Sequence, residues 1–580
     1  MRVLRCVIEH FRGFDQVEVV PRGHVLLVGE PRAGRTDLLT ALARVLNFDA
    51  SRVLEEFDFH GGDTSRDIHI EVTLGDLGQL QQRFLDQLEF WSPASATLIE
   101  GSDDPSKLPA DAVPVVRLAY RGRWDRDEER GEQVLYWAKS SDPDTDDLRR
   151  VARADRAVLP FIALAGGRPL NLAPRGDFRA LLDAERPAEV SKALRRMIEG
   201  IIDLSAELSQ TPVVLDGLET VLRPIRDRLR ISAPATEVVR FLPDEGSLSG
   251  LLRNLTAALD LADSAPHLPL ARHGSTTTAQ VAAAEALAAA KVNGAVVAVD
   301  DFGDMLDATS GQRLATLLRR GAGQVWLSTR RPEVARSFEI GDLVRLTRNP
   351  AGGTPRRQVY YGKPPMSRAE RVAAQELHRQ LLPAMTARAL IVTEGKHDPA
   401  AYAALAERLD TEQGVSPPEA YGIRLIDAGD EGGIGKVPHI AALARDLGFR
   451  VVAMIDYDKD EEQAEKRLAA AQEAAHAVVR LPRGYAIEHA LLDGVPDTDV
   501  VSTLTTLNAS YSLPLPAGWQ HATGDTLRKH AVKALKSNNG LHAQFVDALP
   551  QGVLPSLAAK ALAAAVDCAR GIRDESVVQL

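Results

Sequence analysis

Ala389-Leu-Ile-Val-Thr-Glu-Gly-Lys-His-Asp398 and Val451-Val-Ala-Met-Ile-Asp-Tyr-Asp-Lys-Asp460 are built alike, each a short apolar run that ends abruptly in carboxylates. Residues 389–393 and 451–455 are too short for a buried helix and rich in Val and Ile, and each precedes a helix-like segment, 399–409 and 461–478. They read as two strands of a parallel α/β sheet. Such sheets bind ligands beyond the carboxyl ends of their strands, so Glu394, Asp456 and Asp458 are expected to converge on one crevice. Asp456 and Asp458, two apart, can share one side of an extended segment, and Asp398 falls a turn beyond Glu394 if a helix begins there. Four crowded carboxylates repel one another unless something neutralises them. A hard divalent cation with oxygen ligands does so, and Mg²⁺ takes a few carboxylates plus a substrate phosphate.

Glu-Gly-Lys-His-Asp at 394–398 and Asp-Tyr-Asp at 456–458 resemble the signature Glu and Asp-x-Asp of a Toprim domain, the catalytic module of primases, topoisomerases and a group of nucleases. The acid at 398 is similar to the form found in the OLD (overcoming lysogenisation defect) nucleases. That resemblance implies metal-dependent DNA cleavage with two cations, Mg²⁺ or Mn²⁺, held by Glu394, Asp398, Asp456, Asp458 and Glu488. Glu488 opens a helical pattern in Tyr485-Ala-Ile-Glu-His-Ala-Leu491. The resemblance also implies a lysine for the transition-state charge. Lys536, in Leu527-Arg-Lys-His-Ala-Val-Lys-Ala-Leu-Lys536, is the first choice and Lys533 the second.

The N-terminal part carries a different chemistry. Val3–Glu9 and Val17–Val20 read as an antiparallel pair, and His24–Val28 as a buried strand running into Gly29-Glu-Pro-Arg-Ala-Gly-Arg-Thr36 and an apolar helix, Leu38–Leu46. Strand, glycine loop and helix form a phosphate cradle: Gly29 and Gly34 permit close backbone approach, and the helix start at Arg35 and Thr36 offers N–H groups and dipole. Arg35 stands where such loops have lysine; it keeps the charge but lacks the compact ammonium. Ala295-Val-Val-Ala-Val299 ends in Asp300-Asp301 and looks like a Walker B strand, with Asp300 and Thr36 for Mg²⁺ and Asp301 to polarise water.

Gly274 and Ser275 precede an alanine-rich helix, Ala279–Ala290, in a placement similar to the signature loop of ABC-type ATPases, which contacts nucleotide on a second subunit. Gln324–Thr329 sits where a switch histidine follows a strand, and Arg330 occupies the histidine position. The order resembles ATPase heads of the SMC and RecF type and of OLD proteins, so ATP binding is expected; Arg35 and Arg330 depart from the pattern and leave open whether ATP is hydrolysed.

The fold class expected is therefore α/β: an ABC-type head (1–170 and 236–365) interrupted by a helical insertion (171–235), then a Toprim domain with C-terminal helices (366–580). Strands are expected at Glu71–Leu77 and Val113–Arg121 with a hairpin or loop over Trp124–Asp147. Helical patterns run through Phe178–Leu182, Val190–Leu208 and Gly217–Leu229. The OLD resemblance makes the insertion a dimerisation element; packing within the chain accounts for the pattern equally well. Arginines at 319, 320, 330, 331, 336, 345, 348, 356 and 357 form either a track for phosphates or scattered solvated charges. The glycine-rich stretch Asp427–Lys436 is either a backbone approach to DNA or metal, or a turn between strand and helix.

At 580 residues the chain has room for roughly three or four domains. Its net charge of −11 argues against nonspecific coating of nucleic acid. Cys6 and Cys568 supply neither a disulfide framework nor a zinc set, and no apolar run reaches membrane-span length. A cytoplasmic protein is expected, and the OLD resemblance implies a homodimer or higher oligomer that acts on DNA in anti-phage defence or repair, with a second defence protein as a possible partner. The alternative is a nucleotide-gated sensor or SMC/RecF-like repair ATPase with a non-cutting Toprim scaffold, although long heptads are lacking.

Overall fold

The computed structural model describes residues 1–47, 53–99, 108–164, 182, 187–212, 258–259, 268–348, 357–363, 367, 371, 375, 377–428, 433–457, 461–537 and 540–580. Three sheets carry the architecture. Arg2–Phe11 alternates buried and half-exposed side chains, as a strand with one covered face must. It lies between Phe14–Val19 and Ile68–Gly75 in an antiparallel sheet extended by Val113–Asp125, Arg130–Trp137 and Glu89–Ser92.

The second sheet runs Arg357–Tyr361, Leu343–Arg348, Val25–Gly29, Gln324–Ser328, Val296–Val299 and Phe161–Leu164; all neighbours are parallel except the first pair. Val25–Gly29 is buried at every position, as a central parallel strand is. Helix Arg35–Leu46 packs Leu38, Leu42 and Val45 into a core shared by Ile8 and Val72 of the first sheet and Leu27 and Trp326 of the second.

The third sheet is wholly parallel, in the order Ile423–Asp427, Ala389–Thr393, Arg450–Ile455, Ala477–Arg480, Val577–Gln579. The two-residue period divides its faces. Ala389, Ile391, Val452 and Met454 meet helix Asp398–Gln413 and the C-terminal helices through Leu405, Leu535, Phe545 and Leu562. Leu390, Val392, Val451 and Ala453 meet Val437, Ile440 and Ala444 of helix Gly433–Asp446 in a core that continues into the head through Leu327, Val334 and Leu343. The α/β class is thus as the motifs require, a head built on two sheets followed by a lobe built on a wholly parallel one, and the two lobes share one apolar core.

Particular expectations change. The helical reading of 461–478 ends early: the helix is Glu461–Ala474, and Ala477–Arg480 is a strand buried at all four positions. Trp124–Asp147 contains a hairpin that extends the sheet to Asp125 and returns at Arg130. Within the insertion the described helix is Pro187–Gln210; Gly217–Leu229 and all of Phe178–Leu182 except Leu182 lie outside the described residues.

Four arginines of the stretch are engaged within the fold, and Arg356 lies outside the described residues. Arg319 pairs with Glu339, Arg330 with Asp304, Arg357 with Asp37, and Arg345 is buried. No described helix is long and apolar enough to cross a membrane.

Gly29 shows how tightly the loop strand is held. Its φ is 144°, and a Cβ placed there would lie 2.1 Å from the Leu346 carbonyl oxygen of the neighbouring strand. Gly29→Ala is expected to lower stability by at least roughly 1–3 kcal/mol, the range of a strained backbone position. The check is a lower urea midpoint at unchanged slope; an unchanged midpoint would show that the strand pair relaxes freely.

Candidate functional site

The head brings the phosphate loop against the Val296–Val299 strand. Gly34 precedes the helix with φ 102°, and a Cβ there would meet the Arg357 guanidinium at 2.2 Å. Arg35 and Thr36 therefore open the helix with their N–H groups at its positive end. Thr36 Oγ1 donates to Asp300 Oδ2 (2.7 Å), Ser328 Oγ donates to Asp300 Oδ1 (2.5 Å), and the Asp301 N–H donates to Ser328 Oγ (2.7 Å).

Arg35 donates from Nη1 to the Thr329 carbonyl (3.1 Å). Burial draws its pKa down, against the pull of Asp301. Arg330 pairs with Asp304 and lies 3.7 Å from Asp301, so its charge is engaged by both acids. Gly274 and Ser275 open helix Ser275–Asn293. Among the described residues no hydrogen bond joins either to the loop.

In the second lobe three adjacent parallel strands end level with one another. Thr393 is in register with Asp427 on one side and Met454 on the other, so Asp427, Glu394 and Asp456 leave one edge of the sheet together. The Asp456 N–H donates to Glu394 Oε2 (3.3 Å), which places Glu394 beside the Asp456 strand end. Tyr457 is buried, its N–H donates to the Tyr485 carbonyl (2.9 Å), and the Gly484 N–H donates back to Tyr457 (2.7 Å). This clamp leads directly into helix Ile487–Leu492 and sets Glu488. Asp458 lies outside the described residues, as do residues 429–432 of the glycine-rich stretch.

Glu488 is buried, with His542 Nε2 donating to its Oε1 (3.4 Å) and Lys536 Nζ 3.7 Å from its Oε2. Burial favours its neutral form, yet His542 and Lys536 outweigh burial and hold the carboxyl below its usual value. Lys533 lines a neighbouring groove with Arg528 and Lys529.

Asp398 begins helix Asp398–Gln413 and accepts from the Gly395 N–H (2.8 Å). Burial above all, with Glu488 and Asp427 adding, pushes its carboxyl up to about 7 against the opposing Gly395 bond and His542. Two site neighbours are not among the expected acids and bases: Asp427 enters only as the start of the glycine-rich stretch, and His542 not at all. Asp427 has the same signal as the chosen acids, an apolar run ending in a carboxylate. His542 has none, since only the fold stacks it on His397 with ring centroids 6.0 Å apart.

The acids fit a hard cation in chemistry, being oxygen donors, and Glu488 Oε2 is buried without a hydrogen bond. A finished cage is not present: among the described residues no three His, Cys, Asp or Glu side chains are grouped to hold a metal ion. Asp398 turns back onto Gly395, and Glu488 is engaged by His542 and Lys536.

The raised Asp398 value has a consequence for stability. Between the ordinary aspartate value of 3.8 and about 7 the folded chain keeps a proton that the unfolded chain has released. This contribution is full below 3.8 and disappears as pH rises through about 7. In chelator, stability is expected to fall over that window with a slope of up to about 1.4 kcal/mol per pH unit from this group. Asp398→Asn is expected to lack the component, so urea titrations across the window should diverge in slope. Parallel curves would remove the assignment.

No protein-family model matches the chain, and no curated protein sequence matches it. Similar solved structures include the Smc head bound to the C-winged helix domain of ScpA, at 14% identity over 64% of this chain and 99% of that one, with TM-score 0.31. Stu0660 of Streptococcus thermophilus is 8% identical over 65% of this chain and 80% of its own, with TM-score 0.29. The C-terminal region of the Burkholderia pseudomallei OLD protein is 17% identical over 32% of this chain and 98% of its own, with TM-score 0.24.

Proposed function

We propose that the chain is a metal-dependent DNA endonuclease joined to an ATP-binding head, with the Glu394–Asp456 crevice as its cutting site. The observation that carries this reading is the convergence of Glu394, Asp427 and Asp456 at one sheet edge, with Glu488 and Lys536 beside each other nearby. Glu394, Asp398, Asp456 and Glu488, with Asp458, would hold Mg²⁺ or Mn²⁺. When bound, such cations supply an activated water and charge neutralisation at phosphorus.

The chain's own residues do the rest. Carboxylates at rigid strand ends fix position with little loss of side-chain freedom. His542 keeps Glu488 oriented and ionised. Lys536 offers a mobile ammonium that can leave Glu488 for a phosphate oxygen whose charge grows during attack, a differential gain of the kind catalysis requires. Homodimerisation through the helical insertion and a role in defence or repair belong to the same proposal.

The head favours nucleotide binding over rapid turnover. Arg35 is tied to Thr329, and Arg330 holds Asp301, the residue expected to prepare water. Slow or absent ATP hydrolysis beside intact binding is the behaviour of a nucleotide-gated device.

The test of the reading is supercoiled plasmid with purified chain in Mg²⁺ or Mn²⁺. Nicked product that disappears with chelator supports it. An inert wild-type chain in both metals, with and without ATP, sinks it.

A further inference from the structure

The seam between the two lobes holds a cavity of about 720 Å³, separate from the cutting site and bordered by the phosphate loop only at Glu30. Its walls come from the head strands Leu343–Arg348 and Arg357–Tyr361, the turn at Gly448 to Arg450, and the end of the last long helix at Arg570. Five arginines, 348, 388, 445, 450 and 570, face two carboxylates, Glu30 and Asp574, in a protein whose net charge is −11. Local excess positive charge against the sign of the whole molecule marks a place where an anion is concentrated.

Several of these donors are unused. The Arg388 and Arg348 guanidinium groups have no hydrogen-bond or ion-pair partner among the described residues. Arg570 lies over the Tyr421 ring at 4.0 Å, which leaves its edges open. Arg445 donates to the Glu473 carbonyl (2.8 Å) and Arg450 donates from Nε to the Cys568 carbonyl (2.7 Å), so both are held in place with further N–H groups remaining. His476 Nδ1 accepts from the Val451 N–H (3.1 Å), which puts the ring proton on Nε2 as another donor. The two carboxylates do not balance this set. Glu30 Oε1 already accepts from the Arg348 N–H (2.7 Å), and Asp574 is nearly fully exposed, 4.0 Å from Arg450.

We propose that this seam is a binding site for a phosphorylated small molecule of nucleotide size, distinct from the nucleotide of the phosphate loop. Planar guanidinium groups pair with phosphoryl oxygens two bonds at a time, and the volume falls in the range of sites for small ligands. The arginines gather around one half-open cavity rather than along a continuous track, which favours a compact anion over a strand. The site touches the head's phosphate loop through Glu30 and the second lobe through Arg388, Arg445 and Arg450, so an occupant bears on both. The inference is independent of the nuclease reading.

Inorganic tripolyphosphate is the probe, titrated calorimetrically at low salt into the full chain, an Arg35→Glu variant that repels phosphate from the loop, and an Arg348→Glu/Arg388→Glu double variant. The expected result is binding that survives Arg35→Glu and weakens by at least about tenfold in the double variant. Arg348→Gln/Arg388→Gln, which removes charge without reversing it, is expected to give an intermediate loss and serves if the double reversal does not fold. Binding lost in Arg35→Glu and kept in the double variant would assign the phosphate to the loop and overturn the proposal. Absence of any binding would overturn it as well. A single-stranded oligonucleotide that binds through these arginines where tripolyphosphate does not would replace the small ligand with a nucleic acid backbone and overturn it too.

Discussion

Asp456→Ala is expected to bring plasmid nicking down to the level of a no-enzyme control while leaving the fold intact. Asp456 follows a strand that is buried from Val451 to Ile455, and its backbone N–H, bonded to Glu394, is kept by alanine. Its strand end lies beside Glu394 and on the same sheet edge as Asp427. With wild type, a divalent cation that binds only the folded state should raise the melting temperature as its concentration passes its dissociation constant, and Asp456→Ala should lose that rise. Full nicking by the variant, or an undiminished metal-dependent rise, would remove Asp456 from the site.

The legible part of this molecule is where local pattern and tertiary role coincide. Val25–Gly29 and Ala389–Thr393 are apolar at nearly every position because both faces are covered, and the glycine or acid that ends each run marks the strand end where chemistry sits. The parts that escaped are decided by pairing. Ala477–Arg480 follows an alanine-rich helix, and its Ala-Val-Val continues that helix as well as it begins a strand; the partner Val452–Ile455 settles which. Phe161–Leu164, Arg357–Tyr361 and Val577–Gln579 are edge strands of three to five residues whose existence depends on a neighbour. The arginines misled for a related reason. Sequence counts their charge, whereas their effect depends on partners such as Asp304, Asp37 and Glu339, which lie 26, 320 and 20 positions away.

Arg345 is the case where such a partner joins the lobes, and Arg345→Ala is expected to be among the most damaging single substitutions outside the acids. Arg345 lies on head strand Leu343–Arg348, is 1% exposed, and donates from Nη1 to the Leu447 carbonyl (2.8 Å) and from Nη2 to the Ala387 carbonyl (2.9 Å) of the second lobe. Its guanidinium lies 3.6 Å from the centre of the Phe449 ring. Burial pulls its pKa down to about 10, so the charge is held at a cost that the two carbonyls and the ring offset. Alanine relieves that cost but leaves two buried carbonyls without donors, each worth about 1–3 kcal/mol, and opens a cavity beside Phe449. A net loss of roughly 2–4 kcal/mol follows. Arg345→Met should lose less, because it refills the volume while the carbonyls stay orphaned. Since the bonds cross between lobes, the urea transition of Arg345→Ala should also broaden or split, as the head and the second lobe cease to unfold as one unit. Any effect of ATP on nicking should shrink in step. A variant within about 0.5 kcal/mol of wild type, the range of ordinary surface changes, with a single sharp transition would mean that the shared apolar core alone couples the lobes.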